Sequence, residues 1–255
     1  MSALRTTAPI IICGMPRSGT TLLGRLLEKC GVKVFAECSL PAGDSLVGEV
    51  RRAMEERWRW IDPASFDDRI CSLVYEIWNA VSPVRPADGE FHRFASKTPN
   101  GELRFRCLDD ALENRKPFYI YCHRSPLAVY RSLLGVSWGE SMKPQRVVKR
   151  FNESLRRIME LKDRAIAMDV SRAANDFAYR TAWTDRLVER LGLFRDARTA
   201  AFLEEWPSVN RNNERYAGTL SERMVAWKSR QFEWWARAQG LDRAYAKVAN
   251  WKMET

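Results

Sequence analysis

Histidine is nearly missing from this chain, with two among 255 residues, His92 and His123. The six cysteines (Cys13, Cys30, Cys38, Cys71, Cys107 and Cys122) form no C-x-x-C pair and have no histidine pair beside them. Neither a zinc site nor a dithiol redox motif is therefore indicated. No stretch approaches the ~18 apolar residues of a membrane span. Met1 to Thr7 are too few and too polar to act as a signal peptide ahead of the first strand. These absences set three expectations: no metal, no transmembrane segment, and a reducing, cytoplasmic location. Internal repeats and low-complexity blocks are lacking as well.

What is abundant is positive charge. Forty-two basic residues stand against 32 acidic ones, a net charge of +10, so the surface attracts anions. The charge is spread along the chain, which reads as solvated helix faces with local clusters binding anions. Charge alone would equally suit a nucleotide, a nucleic acid or an acidic membrane face. With 45% hydrophobic and 29% charged residues, the composition is that of a globular protein, and the length suits one α/β domain.

The chain is organised around residues 10–23. A β-branched run (Ile10, Ile11, Ile12) enters a loop marked by Gly14, Pro16 and Gly19, and an amphipathic pattern (Leu22, Leu23, Leu26, Leu27) leaves it. That is strand, turn, helix. Gly14 and Gly19 permit positive φ, so successive N–H groups can turn inward around an anion at the positive end of the following helix. A nucleoside-triphosphate loop would need lysine directly after its second glycine. Thr20 stands there instead, and Arg17 is the cation within the loop.

Further along, helix is expected over Thr20 to Lys29 and strand over Val32 to Phe35, ending at Ala36-Glu37. Helices are expected from about Val47 to Trp60 and again after Asp62-Pro63. A strand over Phe91 to Ala95 leads into Ser96-Lys97-Thr98-Pro99-Asn100, and a helix runs through Leu103 and Leu112. A buried strand over Pro117 to Cys122 runs into His123-Arg124-Ser125-Pro126 and a helix to Leu134. After a loop with Trp138, a long helix is expected over Gln145 to Ala167. A short strand over Phe177 to Arg180 and helices over Trp183 to Leu191 and Ser221 to Gln239 complete the reading. Alternating strands and helices imply a mainly parallel sheet flanked by helices, with ligands at the carboxyl ends of the strands. The strand over 118–122 ends in His123-Arg124, not in the aspartate that holds magnesium in triphosphatases.

The wording Pro16-Arg17-Ser18-Gly19-Thr20-Thr21-Leu22-Leu23 resembles the phosphosulfate loop of sulfotransferases that use 3′-phosphoadenosine 5′-phosphosulfate (PAPS) as donor. Arg124, Pro126 and Ser132 resemble the R-x-P-x-x-x-x-x-S pattern by which that family holds the donor's 3′-phosphate. Lys97-Thr98-Pro99 resembles the lysine segment at its donor–acceptor junction. The resemblance covers about residues 8 to 193 and implies a P-loop nucleotide-binding α/β domain, with a helical C-terminal region over about 194–255. It further implies PAPS as co-substrate, release of 3′-phosphoadenosine 5′-phosphate (PAP), and in-line sulfuryl transfer to a hydroxyl or amine with no metal required. Gly14, Pro16, Arg17, Ser18, Gly19, Thr20 and Thr21 would then line the 5′ side, and Arg124 and Ser132 the 3′-phosphate. Lys97, with Arg17, would stabilise the transferring group.

One departure from the family's soluble members is that no histidine base follows Lys97. Glu37, some twenty residues beyond the loop, resembles the catalytic glutamate of tyrosylprotein and some carbohydrate sulfotransferases and is the candidate base, with Asp44 and Glu49 as alternatives. His92 and His123 read as structural. Arg215 and Tyr216, in the basic tail segment 210–218, are candidate contacts to the 3′-phosphate and adenine, although the segment lacks the family's K-G-x-x-G form. The Trp-rich helix around Trp227, Trp234 and Trp235 reads as core or a partner face. Partners are thus a nucleotide sulfate donor and an acceptor the sequence does not name. No nucleic acid is expected, and a homodimer is left open. A P-loop kinase of nonstandard wording and a noncatalytic anion- or nucleic-acid-binding protein stay open as alternatives.

Overall fold

The computed structural model describes residues 9–36, 93–97, 99–105, 117–209 and 219–251. Five strands, β1 (Ile10–Cys13), β2 (Val32–Ala36), β3 (Arg93–Lys97), β4 (Phe118–His123) and β5 (Ala165–Asp169), form one sheet in the order β2-β3-β1-β4-β5. Every pairing is parallel. The fold is α/β. Parallel strands need crossovers that cover both faces of the sheet, which explains why β1 is the uninterrupted apolar run Ile-Ile-Ile-Cys, buried throughout.

The helices divide between the two faces by the alternation of strand side chains. Ile11, Cys13, Tyr119 and Tyr121 point into one core layer with α2 (Pro126–Leu134), α3 (Pro144–Glu160), α7 (Glu222–Ala238) and α8 (Leu241–Ala249). Ile10, Ile12, Ile120, Cys122, Ile166 and Met168 point into the other, with α1 (Thr20–Lys29), α4 (Val170–Asn175), α5 (Phe177–Leu191) and α6 (Ala197–Val209). Within α7, Phe232 is buried and stacks on Tyr130 with ring centroids 4.5 Å apart. Trp227 and Trp234 lie on the outer side, 48% and 61% exposed. Among the described residues, no helix is long and apolar enough to cross a membrane.

Several elements differ from expectation. The expected helix over 145–167 stops at Glu160; a 3-10 turn (Lys162–Arg164) follows and then β5, which pairs with β4 from Tyr119↔Ala165 to His123↔Asp169. Phe177–Arg180 is the first turn of α5 and not a strand, because Asp176 accepts the Tyr179 N–H at 2.8 Å and caps the helix. β3 extends to Lys97 itself. Gly192 ends α5 in the left-handed region (φ 62°), and Ser221 is the N-cap of α7, accepting the Met224 N–H at 3.4 Å. After Asn100 a 3-10 turn (Gly101–Arg104) is present. The helices expected over 47–60 and after Asp62 lie outside the described residues.

Candidate active site

β1 is the central strand, so its carboxyl end opens between those of β3 and β4, where the connections diverge to opposite sides of the sheet. The loop leaving β1 turns on three left-handed residues, Gly14 (φ 122°), Arg17 (φ 72°) and Gly19 (φ 105°). A Cβ on Gly14 would lie 2.3 Å from the Cys122 carbonyl oxygen, and one on Gly19 would lie 2.6 Å from Val170 Cγ1. Only glycine lets the loop pass that close to β4 and to α4.

Gly19 is the N-cap of α1 and supplies no side chain to it, so the first N–H groups of the helix point out without an intrahelical acceptor. Ser18 is 1% exposed, and its Oγ has no hydrogen-bond partner. A buried hydroxyl aimed at nothing costs free energy unless a ligand satisfies it. Together with the positive end of α1, it fits an anion's oxygens. The cradle is narrower than the sequence implies: the Ser18 N–H donates to the Met15 carbonyl at 3.0 Å and the Gly14 N–H to Glu102 Oε2 at 3.0 Å. Thr20, standing where a lysine would reach triphosphate oxygens, is buried in the first turn of α1.

Two further segments converge on this loop. Lys97, at the end of β3, is 7% exposed and its Nζ donates to Thr21 Oγ1 at 3.4 Å. Its stem runs beside Gly24 of α1, with Cγ in ordinary contact range, 4.0 Å from where a Cβ there would stand. Three residues on, Asn100 (φ 61°) donates its N–H to the Gly14 carbonyl at 2.8 Å, and Arg150 Nε donates to its side-chain oxygen at 3.3 Å. From the other side, Arg17 Nε donates to Ser132 Oγ at 3.2 Å. Arg17 is held below the usual arginine pKa by burial and then by the nearby charge of Arg124. Two guanidinium groups and a hydroxyl from three places in the chain thus crowd together, and crowding of like charge is relieved by a multiply charged anion.

His123 closes the far side. It is 5% exposed, its Nδ1 shares a hydrogen bond with the Tyr245 hydroxyl at 3.2 Å, and its pKa is lowered. The cause is burial, with Asp169 opposing it, and not the positive surroundings that the adjacent Arg124 suggests in the sequence. Asp169, which ends β5, accepts the Arg172 N–H at 3.0 Å as the N-cap of α4.

Among the expected site residues, the structure thus brings together the loop 14–21, Lys97, Arg124 and Ser132. Glu37, Asp44, Glu49, His92, Thr98, Arg215 and Tyr216 lie outside the described residues. One residue that the sequence gives no reason to select is Glu102. It is wholly buried, and besides the Gly14 N–H it accepts a hydrogen bond from Ser154 Oγ, which is itself 2.8 Å from the Tyr121 hydroxyl. Burial raises its pKa while these donors oppose the shift.

The fold is a parallel α/β sheet in which Arg17, Ser132, Lys97 and Thr21 converge around the glycine-turned loop at the end of its central strand. The profile of the sulfotransferase family matches residues 9–173, and the chain belongs to that family. Among solved structures, the sulfotransferase domain from the Synechococcus PCC 7002 olefin synthase is similar at 18% identity, with 89% of this chain and 95% of that one covered and a TM-score of 0.47. Sulfotransferase STF9 from Mycobacterium avium is similar at 16% identity over 93% of this chain and 77% of that one, with a TM-score of 0.51. Mouse sulfotransferase SULT7A1, solved with PAP, is similar at 12% identity over 95% and 84%, with a TM-score of 0.44. At these identities the likeness concerns the fold alone. No curated protein sequence matches the chain.

Proposed function

We propose that this sulfotransferase takes its sulfuryl group from PAPS and passes it in line to a hydroxyl or amine acceptor. The observation that carries the reading is the Arg17 Nε to Ser132 Oγ hydrogen bond. It joins the loop suited to a 5′-phosphosulfate to the Arg124–Ser132 motif suited to a 3′-phosphate, and a donor carrying both groups on one ribose needs the two sites side by side.

In this reading Ser18 and the N–H groups of Gly19, Thr20 and Thr21 hold the 5′ side. Arg17 lies between the two phosphates, and Arg124 with Ser132 holds the 3′ side. The acceptor oxygen forms a bond to sulfur as the bond from sulfur to the 5′-phosphate oxygen breaks, and PAP leaves with the electron pair. Lys97 stands where charge grows on that bridging oxygen, and a fixed cation there lowers the barrier with little reorganisation. The acceptor proton goes to Glu37. In the chain, Glu37 follows directly on Ala36, the strand partner of Lys97. Arg215 and Tyr216 are assigned to the 3′-phosphate and adenine on the family resemblance, and the whole chain is read as one catalytic domain. Cys13, Cys30 and Cys122 are free thiols, which accords with a cytoplasmic location.

The test is transfer of radiolabelled sulfur from PAPS to a panel of phenols, tyrosine peptides and sugars in the presence of a metal chelator. Label appearing on one acceptor class in the wild type and not in Lys97→Met is the expected result. A wild type that neither binds PAP nor transfers label contradicts the reading.

A further inference from the structure

A buried hydrogen-bond network lies beneath the loop that leaves β1. Glu102 is 0% exposed, and among the described residues no cation pairs with it. A buried carboxylate without a counter-ion is costly unless hydrogen bonds satisfy it. What Glu102 holds is therefore informative. One oxygen accepts the Gly14 N–H at 3.0 Å; the other accepts from Ser154 of α3, which is in turn bonded to Tyr121 of β4. The Gly14 carbonyl, on the opposite side of the same residue, accepts from the Asn100 N–H at 2.8 Å. Both residues gripping Gly14 belong to the segment that begins at Lys97.

We propose that Glu102 is a positioning residue for donor binding. By claiming the Gly14 N–H it fixes the left-handed turn on which the loop pivots, so that Ser18 Oγ and the first N–H groups of α1 face a single point, in register with Lys97. The inference rests on the donor reading given above. The titratable groups facing Glu102 are Cys13 of β1 and Tyr121 and Cys122 of β4, all raised by burial and so neutral, while Arg150 of α3 reaches Asn100 rather than the carboxylate. The working contact is thus the hydrogen-bond acceptor at Gly14.

Two substitutions separate that role from simple packing. Glu102→Gln keeps an acceptor for Gly14 and can turn its amide toward Ser154, whose hydroxyl can reverse. Glu102→Met fills similar space and leaves the Gly14 N–H unpaired. Calorimetric titration with PAP is expected to give affinity within about threefold of wild type for Glu102→Gln and at least about tenfold weaker for Glu102→Met, with both variants folded by circular dichroism. Ser154→Ala, which frees the carboxylate on one side, is expected to weaken PAP binding to an intermediate degree and serves if Glu102→Met does not fold. Equal affinity in wild type and in the folded Met variant, or in Ser154→Ala where the Met variant is lost, overturns the positioning role and leaves the donor reading standing. A wild type that binds no PAP overturns both.

Discussion

Arg17 and Ser132, 115 positions apart in the chain, are joined by a hydrogen bond of 3.2 Å from guanidinium Nε to hydroxyl Oγ. The bond ties the loop leaving β1 directly to the helix that follows Arg124. Charge-assisted bonds to a phosphate are worth about 1.5–3 kcal/mol each, so Arg124→Ala is expected to weaken PAP binding about 10- to 100-fold. A double-mutant cycle with Arg17→Ala and Ser132→Ala is expected to show coupling of about 0.5–3 kcal/mol. Additive losses would mean that the two residues act separately on the nucleotide.

Lys97 is buried against Thr21, and in the proposed reaction its charge matters most as the bridging oxygen gains charge. Lys97→Met is expected to lower kcat by at least about 100-fold. PAP affinity should change only a few-fold, as measured by steady-state kinetics alongside calorimetry. A rise in KM with kcat unchanged would make Lys97 a binding residue only.

Gly19 stands at φ 105°, with Val170 Cγ1 2.6 Å from where a Cβ would stand. Gly19→Ala is expected to cost about 1–3 kcal/mol in chemical denaturation. Adding Val170→Ala should recover the steric part and leave the backbone strain. A fully additive double mutant would show that the contact between loop and α4 is not tight.

The acid limb of stability carries a sign that can be checked. Burial lowers the His123 pKa, so below about pH 6.5 the unfolded chain binds protons that the native state does not. The stability from this group is present above that pH and is lost as pH falls toward the folded-state value. Glu102 acts in the opposite sense: its pKa is raised, so acidification through its folded-state value stabilises the native state until the unfolded carboxyl also protonates. His123→Phe, which preserves the ring against Tyr245, is expected to lose less stability between about pH 7.5 and 5.5 than wild type, by no more than about 1.4 kcal/mol per pH unit. Equal slopes would show that His123 does not titrate differently on folding.

The parts of this molecule legible in its sequence are those fixed by local chemistry. The run Ile10–Cys13, the two loop glycines and the leucine stripe of α1 specify strand, turn and helix without reference to anything distant, and α1 has the bounds Thr20–Lys29. The motif order along the chain also gives the parallel sheet and the strand ends where Arg17, Lys97, Arg124 and Ser132 gather. β5 was hidden because Ala165–Asp169 follows α3 after a single 3-10 turn, with no glycine or proline to mark the change, and its alanines suit a helix as well as a strand. Phe177–Arg180 looked like a strand from its aromatic content, but the Asp176 cap decides for helix. Glu102 was invisible for a deeper reason. Its role exists only through Gly14 and Ser154, 88 and 52 positions away, and no spacing rule records such a meeting.

The central claim is the identity of the donor, and calorimetry decides it most directly. PAP titrated without metal is expected to bind tightly, with affinity falling in Arg124→Ala, while ATP with magnesium gives little or no heat. Tight binding of magnesium ATP together with no binding of PAP would contradict the account and turn the loop at Gly14 to Thr21 back toward a phosphoryl donor.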